Sequence, residues 1–358
     1  MTKQDTITIV KAGSNALVDD NGQIRQQVMA DILQSITETV KKGLKVILVT
    51  SGATKLGRKI LNQPSADVRI AAAVGQLELF ANYQTIGKRL NATLAELLIS
   101  RPHLVKRNQF LAFQKMIEDF FAAGIVPIVN ENDGLIAGTD WSFGDNDSVA
   151  AALAIALKAN KLIILSHVDG LFDRDPLNNI SASLISEVTD VNKELMKYCS
   201  DNISAGGRGG MMTKLKAIRL CTAVGIESFI VNGLKKDNLN RALLGERVGT
   251  YFKPRSLVKK ISNRDRWLMA AKNSTGSLEV DQGAVEALRR GKSLLAVGVK
   301  KIYGSFQAKE IIEIINQDQQ AIAFGIIDFS DEEVRDLFKN NNAHGKQLMY
   351  TDNIIMFG

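Results

Sequence analysis

Up to about residue 250 the chain alternates short, nearly continuous apolar runs with longer stretches of helical spacing. The apolar runs are Ile7–Val10, Val46–Thr50, Leu94–Ser100, Ile125–Val129, Leu162–Ser166 and Ser228–Val231. The helical stretches cover about 25–42, 66–90, 108–123, 148–158 and 213–224. Strands buried on both faces read as continuous apolar runs, and parallel neighbours require a long crossover. The alternation therefore predicts an α/β fold with a mainly parallel sheet, helices on both faces and right-handed crossovers.

After about residue 260 the rhythm shortens. Strand-like pieces appear at Gly276–Val280, Val297–Ile302, Glu310–Ile315 and Ala321–Phe329, interrupted by two short helices. Asp281 is placed to cap Gln282–Arg290, and Ser330-Asp-Glu-Glu333 carries the reciprocal pattern of a capping box for Glu332–Phe338. The expected organisation is a large α/β domain over 1–255, a linker over 256–274 and a small, mostly β domain over 275–358. The basic segment Tyr251–Arg264 contains the last proline of the chain, which suits a linker. Charge shifts at the same place: residues 253–301 hold twelve Lys/Arg and four Asp/Glu, 12 − 4 = +8, against +7 for the whole chain.

Composition narrows the function classes. With 358 residues, 45% hydrophobic and 23% charged, the chain has an ordinary globular balance and room for two domains. Met1-Thr-Lys-Gln-Asp5 has no signal-peptide character, and no apolar run approaches the ~18 residues of a membrane span. The two cysteines, Cys199 and Cys221, form neither a disulfide framework nor a metal spacing, which suits a reducing, cytoplasmic setting. The three histidines, His103, His167 and His344, are scattered, which argues against a zinc enzyme or a histidine-based triad.

Four polar regions sit where predicted strands give way to helices. Lys11 precedes Ala12-Gly13-Ser14, a cation beside a tight turn whose backbone N–H groups suit phosphate oxygens; a surface lysine before a turn reads the same way. Thr50-Ser-Gly-Ala53 repeats the arrangement, with Ser51 a candidate helix cap and Gly52 open to close approach. Asn130-Glu-Asn-Asp133 and Gly144-Asp-Asn-Asp147 crowd one loop with carboxylates and amides, suited to a ligand bearing both ammonium and carboxylate. Either run alone is also ordinary turn or cap chemistry. Gly206-Gly-Arg-Gly-Gly210 opens the helix that carries Lys214, an anion site in physical terms or simply a mobile loop.

In this order, Lys11-Ala-Gly-Ser14, Thr50-Ser-Gly-Ala53, Asn130-Glu-Asn-Asp133, Gly144-Asp-Asn-Asp147 and Gly209-Gly-Met-Met-Thr-Lys214 resemble the amino acid kinase family. The 130–147 pair narrows the resemblance to members that phosphorylate glutamate. Gly276-x-Leu-x-Val-Asp-x-Gly-Ala284, Gly291-Lys-Ser-Leu-Leu295 and Gly298-Val299 resemble a PUA domain. The resemblance implies an amino acid kinase-type αβα sandwich followed by a small PUA-like barrel. The implied reaction is ATP-dependent phosphorylation of the L-glutamate side-chain carboxylate to L-glutamyl 5-phosphate, the first step of proline biosynthesis. A carboxylate of pKa about 4.3 is already a nucleophile at neutral pH, so no general base is needed.

Carried onto this sequence, the resemblance makes Lys11 and Lys214 the catalytic cations, with Asp145 orienting both. Ser51, Gly52, Asp133, Asn146 and Asp147 would hold the glutamate. ATP would contact Lys11, Gly13, Ser14, Ser166, His167, Arg208, Gly209, Gly210, Met211, Met212, Thr213 and Lys214. No protein-held metal is implied; magnesium would ride on the nucleotide phosphates. A cytoplasmic dimer or tetramer with proline feedback is implied as well. His167 stands where the family usually has an acidic residue, and Arg208 where threonine is common. Two other readings remain: another acceptor (acetylglutamate, aspartate or a nucleotide), and RNA binding through the PUA domain with the basic stretch 253–301 as its electrostatic footprint. The latter has the charge for it but no aromatic stacking platform.

Overall fold

The computed structural model describes residues 6–139, 142–174, 179–191, 195–196, 210–256, 262, 266, 269–270, 276–340 and 344–356. The chain divides into two compact units, residues 1–191 with 195–254, and 192–194 with 255–358.

The first unit is built on strands β1 (Ile7–Ala12), β2 (Lys45–Val49), β3 (Leu94–Ile99), β4 (Val126–Glu131), β5 (Lys161–Ser166), β6 (Leu171–Phe172), β7 (Leu184–Ile185), β8 (Glu187–Val188), β9 (Glu227–Asn232) and β10 (Thr250–Phe252). Its helices are α1 (Ser14–Leu17), α2 (Gln26–Lys41), α3 (Ala53–Ile60), α4 (Val68–Arg89), α5 (Arg101–Val105), α6 (Arg107–Ala122), α7 (Asp133–Ile136), α8 (Asn146–Ala156), α9 (Met211–Ala223) and α10 (Asn238–Leu243). Eight strands form one sheet in the order β3-β4-β2-β1-β5-β9-β10-β8. From β3 to β9 every pairing is parallel, as the alternation predicts; β10 then runs antiparallel to β9 and parallel to β8. β10 has three residues, too few to show a periodicity.

The pleat decides what each face carries, because successive side chains point to opposite sides. Val10 of β1, Leu48 of β2 and Ile163 of β5 join one core with Leu33 of α2, Leu79 of α4 and Ala242 of α10. The opposite face is covered by α6, α8 and α9. Lys11 alternates with Val10 and so belongs to that second face.

α3, which the apolar pattern leaves unassigned, packs unusually close to α4. A Cβ on Gly57 would lie 1.7 Å from Ala71 O, and one on Gly75 would lie 1.9 Å from Ala53 O. Only glycine permits this approach. It fixes α3, and with it the preceding Thr50-Ser51-Gly52 turn, against a long helix.

The second unit has its own core. Its strands are β11 (Ser277–Val280), β12 (Leu294–Leu295), β13 (Val299–Tyr303), β14 (Ile311–Ile315), β15 (Ala321–Ile326), β16 (Gln347–Met349) and β17 (Ile354–Met356). Five of them form a sheet in the order β13-β11-β14-β15-β17, and β12 pairs with β16. Leu278, Val280, Ile312 and Ile314 pack with Leu288 of α11 (Gln282–Arg289) and Val334 of α12 (Asp331–Lys339). Both predicted caps form. Asp281 accepts from Ala284 N at 2.8 Å, and Ser330 and Glu333 exchange backbone-to-side-chain bonds of 3.2 and 2.7 Å.

Candidate active site

The C-terminal ends of β2, β1, β5 and β4 collect the polar runs on one edge of the sheet, where open α/β folds bind their ligands. Lys11 lies within β1, one residue before its end, and is 4% exposed. Two helices on its face complete the centre. In α8, Asp147, Ala150, Ala151 and Ala154 follow the i, i+3, i+4, i+7 spacing of one stripe and are all fully buried. In α9, Lys214, Ala217, Ile218 and Cys221 follow the same spacing and are all buried. Each helix thus delivers one charge at the leading end of an otherwise apolar stripe.

Those charges meet. Asp147 Oδ1 is 2.8 Å from Lys11 Nζ, and Asp147 Oδ2 is 3.3 Å from Lys214 Nζ. Thr213 Oγ1 donates to the same Oδ2 at 2.7 Å. Burial by itself would raise the Asp147 pKa; the two ammoniums and the Lys11 and Thr213 hydrogen bonds outweigh it and hold the carboxyl well below the usual range. Burial depresses the Lys11 pKa against the pull of Asp147, and the like charge of Lys214 depresses it further.

This corrects the role expected for Asp145. It does not bridge the lysines. Asp145 is the N-cap of α8, accepting from Ser148 N at 2.8 Å and from Ser148 Oγ at 3.0 Å. Burial, then the neighbouring Asp147 charge, raise its pKa. An N-cap side chain folds back onto its own helix, whereas Asp147, two residues on, falls on the sheet-facing stripe. The helical phase of Ala150, Ala151 and Ala154 was the signal that separates the two aspartates.

Ser51 is corrected as well. Gly52 takes the N-cap position of α3, with φ 108°, and the helix has no side-chain cap. The Ser51 hydroxyl is hydrogen-bonded to Ser14 instead. Gly13 N donates to Leu165 O at 3.1 Å, tying the turn after β1 to β5.

Ser166 ends β5 and is buried; His167 after it is exposed, with its pKa lowered by partial burial and by the Lys214 charge. Gly210 is the N-cap of α9, and Met211, Met212 and Thr213 form its partly buried first turn. Arg208 and Gly209 lie outside the described residues.

On the other side of Lys11, Asn146 Nδ2 donates to Asn130 Oδ1 at 3.1 Å, and Asn130 Nδ2 donates to Gln76 Oε1 at 2.8 Å. Among the described residues, Asn146 Oδ1 is buried without a hydrogen-bond partner. Asp133 opens α7 and is partly buried. Three contributors were not singled out by the sequence: Glu131, Arg101 and Gln76. Glu131 was visible only as one member of an acidic run. Gln76 and Arg101 carry no local signal, because their partners lie 54 and 41 residues away.

Comparison with known proteins matches residues 6–232 to the amino acid kinase family and residues 276–344 to the PUA domain. A glutamate 5-kinase of Pelagibacter ubique (strain HTCC1062) is 33% identical over 345 residues, covering 95% of this chain and 93% of that protein. "Glutamate 5-kinase 2" of Pseudoalteromonas translucida (strain TAC 125) is 34% identical over 351 residues, covering 97% and 94%. A glutamate 5-kinase of Prochlorococcus marinus (strain MIT 9313) is 36% identical over 338 residues, covering 92% and 93%.

Proposed function

The chain belongs to the amino acid kinase family, and we infer that it transfers the γ-phosphoryl group of ATP to the side-chain carboxylate of L-glutamate. The product is L-glutamyl 5-phosphate, and the step is the first of proline biosynthesis. One observation carries the chemistry: Asp147 holds two buried lysines from different elements beside one strand end. The acceptor comes from the relatives' names and their coverage of nearly the whole chain.

In this reading the substrate carboxylate attacks the γ-phosphorus in line and ADP leaves. Both partners are anionic, so the protein contributes position and positive charge rather than proton transfer. Lys11 and Lys214 neutralise charge on the transferring phosphoryl group, and Asp147 fixes their separation. The Asn146 Oδ1 acceptor and Asp133 suit the ammonium of glutamate; Ser51 and the Gly52 backbone suit its acceptor end. Gly13, Ser14, Ser166, His167 and the first turn of α9 line the nucleotide side. Asp147, the site's fully buried carboxylate, is already committed to two ammoniums and a hydroxyl. Its donor set therefore fits a magnesium ion carried in on the nucleotide phosphates.

ADP release with glutamate, acetylglutamate, aspartate and UMP as acceptors tests the reading. Turnover confined to glutamate is expected; turnover confined to another acceptor would replace it. The same assay with added L-proline tests feedback inhibition. Ile70 and Leu77 are exposed on α4, 58% and 80%, which supports self-association, measurable by sedimentation. No described helix is long and apolar enough to cross a membrane. RNA binding through the PUA domain, with the basic stretch 253–301 as its footprint, is the alternative reading; a tRNA titration at several salt concentrations tests it.

A further inference from the structure

The backbone of residues 142–144, which leads into Asp145, Asn146 and Asp147, is gripped from two sides. Glu131, 3% exposed at the end of β4, accepts from Ser142 Oγ at 2.8 Å and from Phe143 N at 2.5 Å through the same oxygen. Arg101, at the start of α5, donates to Ser142 O from Nε at 3.2 Å and from Nη2 at 3.1 Å. Its guanidinium also lies over the Phe143 ring, 5.1 Å from the centroid. The two grips start from adjacent strand ends, because Ile99 of β3 registers with Glu131 of β4. Ser142 Oγ accepts from Gly144 N at 2.9 Å, which closes the turn.

Nothing in the phosphoryl-transfer chemistry requires a carboxylate at 131. Burial pushes its pKa up, so a buried acid there is a cost that the local contacts offset. What the contacts achieve is a fixed entry into α8. We propose that Glu131 and Arg101 are positioning residues: they clamp residues 142–144 and so hold Asp145 and Asn146 in register with the acceptor substrate. The proposal rests on the amino acid kinase reading of the site, in which this loop serves the acceptor and α9 serves the nucleotide.

A clamp on one side of the site predicts an asymmetric kinetic signature. Glu131→Ala and Arg101→Ala each raise the KM for glutamate by about tenfold or more, while the KM for ATP changes by less than about twofold. Glu131→Gln keeps an acceptor oxygen for Ser142 and Phe143 and restores the glutamate KM to within about threefold of the parent. Because both residues hold the same turn, the double variant is no worse than the poorer single one. Thermal unfolding of each variant is followed with and without glutamate. A glutamate KM unchanged in Glu131→Ala would overturn the proposal. So would a parallel loss of glutamate KM, ATP KM and melting temperature, or a Glu131→Gln variant as poor as Glu131→Ala. If the parent enzyme instead phosphorylates a different acceptor, the glutamate reading fails, and the same comparison on that acceptor's KM decides the clamp separately.

Discussion

At the scale of single residues, the site turns on one carboxylate shared by two ammoniums. Removing one partner of a buried ion pair leaves an uncompensated charge and costs about 3–5 kcal/mol. Asp147→Asn is therefore expected to lower unfolding stability in urea by that order and to abolish most turnover. Asp145→Asn keeps a side chain that caps a helix about as well as aspartate and should cost well under about 1 kcal/mol. In the proposed mechanism Lys214→Ala removes positive charge from the transferring phosphoryl group and is expected to lower kcat about a hundredfold or more, with glutamate KM little changed. The pH dependence follows from Lys11. Its pKa lies below the ordinary lysine value, so its charge is lost as pH rises through that lowered value. The alkaline limb of kcat should therefore fall before an ordinary lysine would titrate. Asp147 is depressed, so its contribution to stability is present above the unfolded carboxyl pKa and is lost only in strong acid. Lys11 and Lys214 were legible in the sequence because each sits beside glycine at a strand or helix end. Motif order alone did not separate Asp145 from Asp147; the helical phase of Ala150, Ala151 and Ala154 carries that distinction.

At the scale of elements, long apolar runs were legible and short or glycine-made features were not. β1, β2, β4, β5 and β9 lie within two residues of their predicted bounds, since burial on both faces leaves an unbroken signal. α3 escaped because it is only eight residues long and carries three apolar side chains, Ala53, Leu56 and Ile60, too short a stretch to stand out beside the longer helices. Its stability comes from the Gly57–Gly75 crossing instead. Gly75→Ala places a methyl 1.9 Å from Ala53 O, and overpacking of this kind costs about 1–3 kcal/mol. The expected result is a urea midpoint lowered by that amount, accompanied by a raised glutamate KM, because α3 carries the Ser51-Gly52 turn. A loss of stability with unchanged kinetics would show that the crossing supports the fold but not the site.

At the scale of the whole molecule, the two units have separate cores, one running from β1 through α2 and α4 and one within residues 278–349. Independent cores unfold independently unless their interface couples them. Calorimetry should therefore give a total enthalpy larger than the van't Hoff value of the main transition. Alternation by helix and alternation by short strand belong to different layer patterns, so each core is built by its own rhythm. The sharing of Asp147 also has an energetic meaning. Lys11 and Lys214 converge on one fully buried carboxylate, and Asp145 adds a second negative charge felt at Lys11. A polyphosphate bound beside both ammoniums would add further counter-charge, so nucleotide is expected to raise the melting temperature. Its cargo is in effect a piece of its electrostatic core, lent for the duration of a turnover.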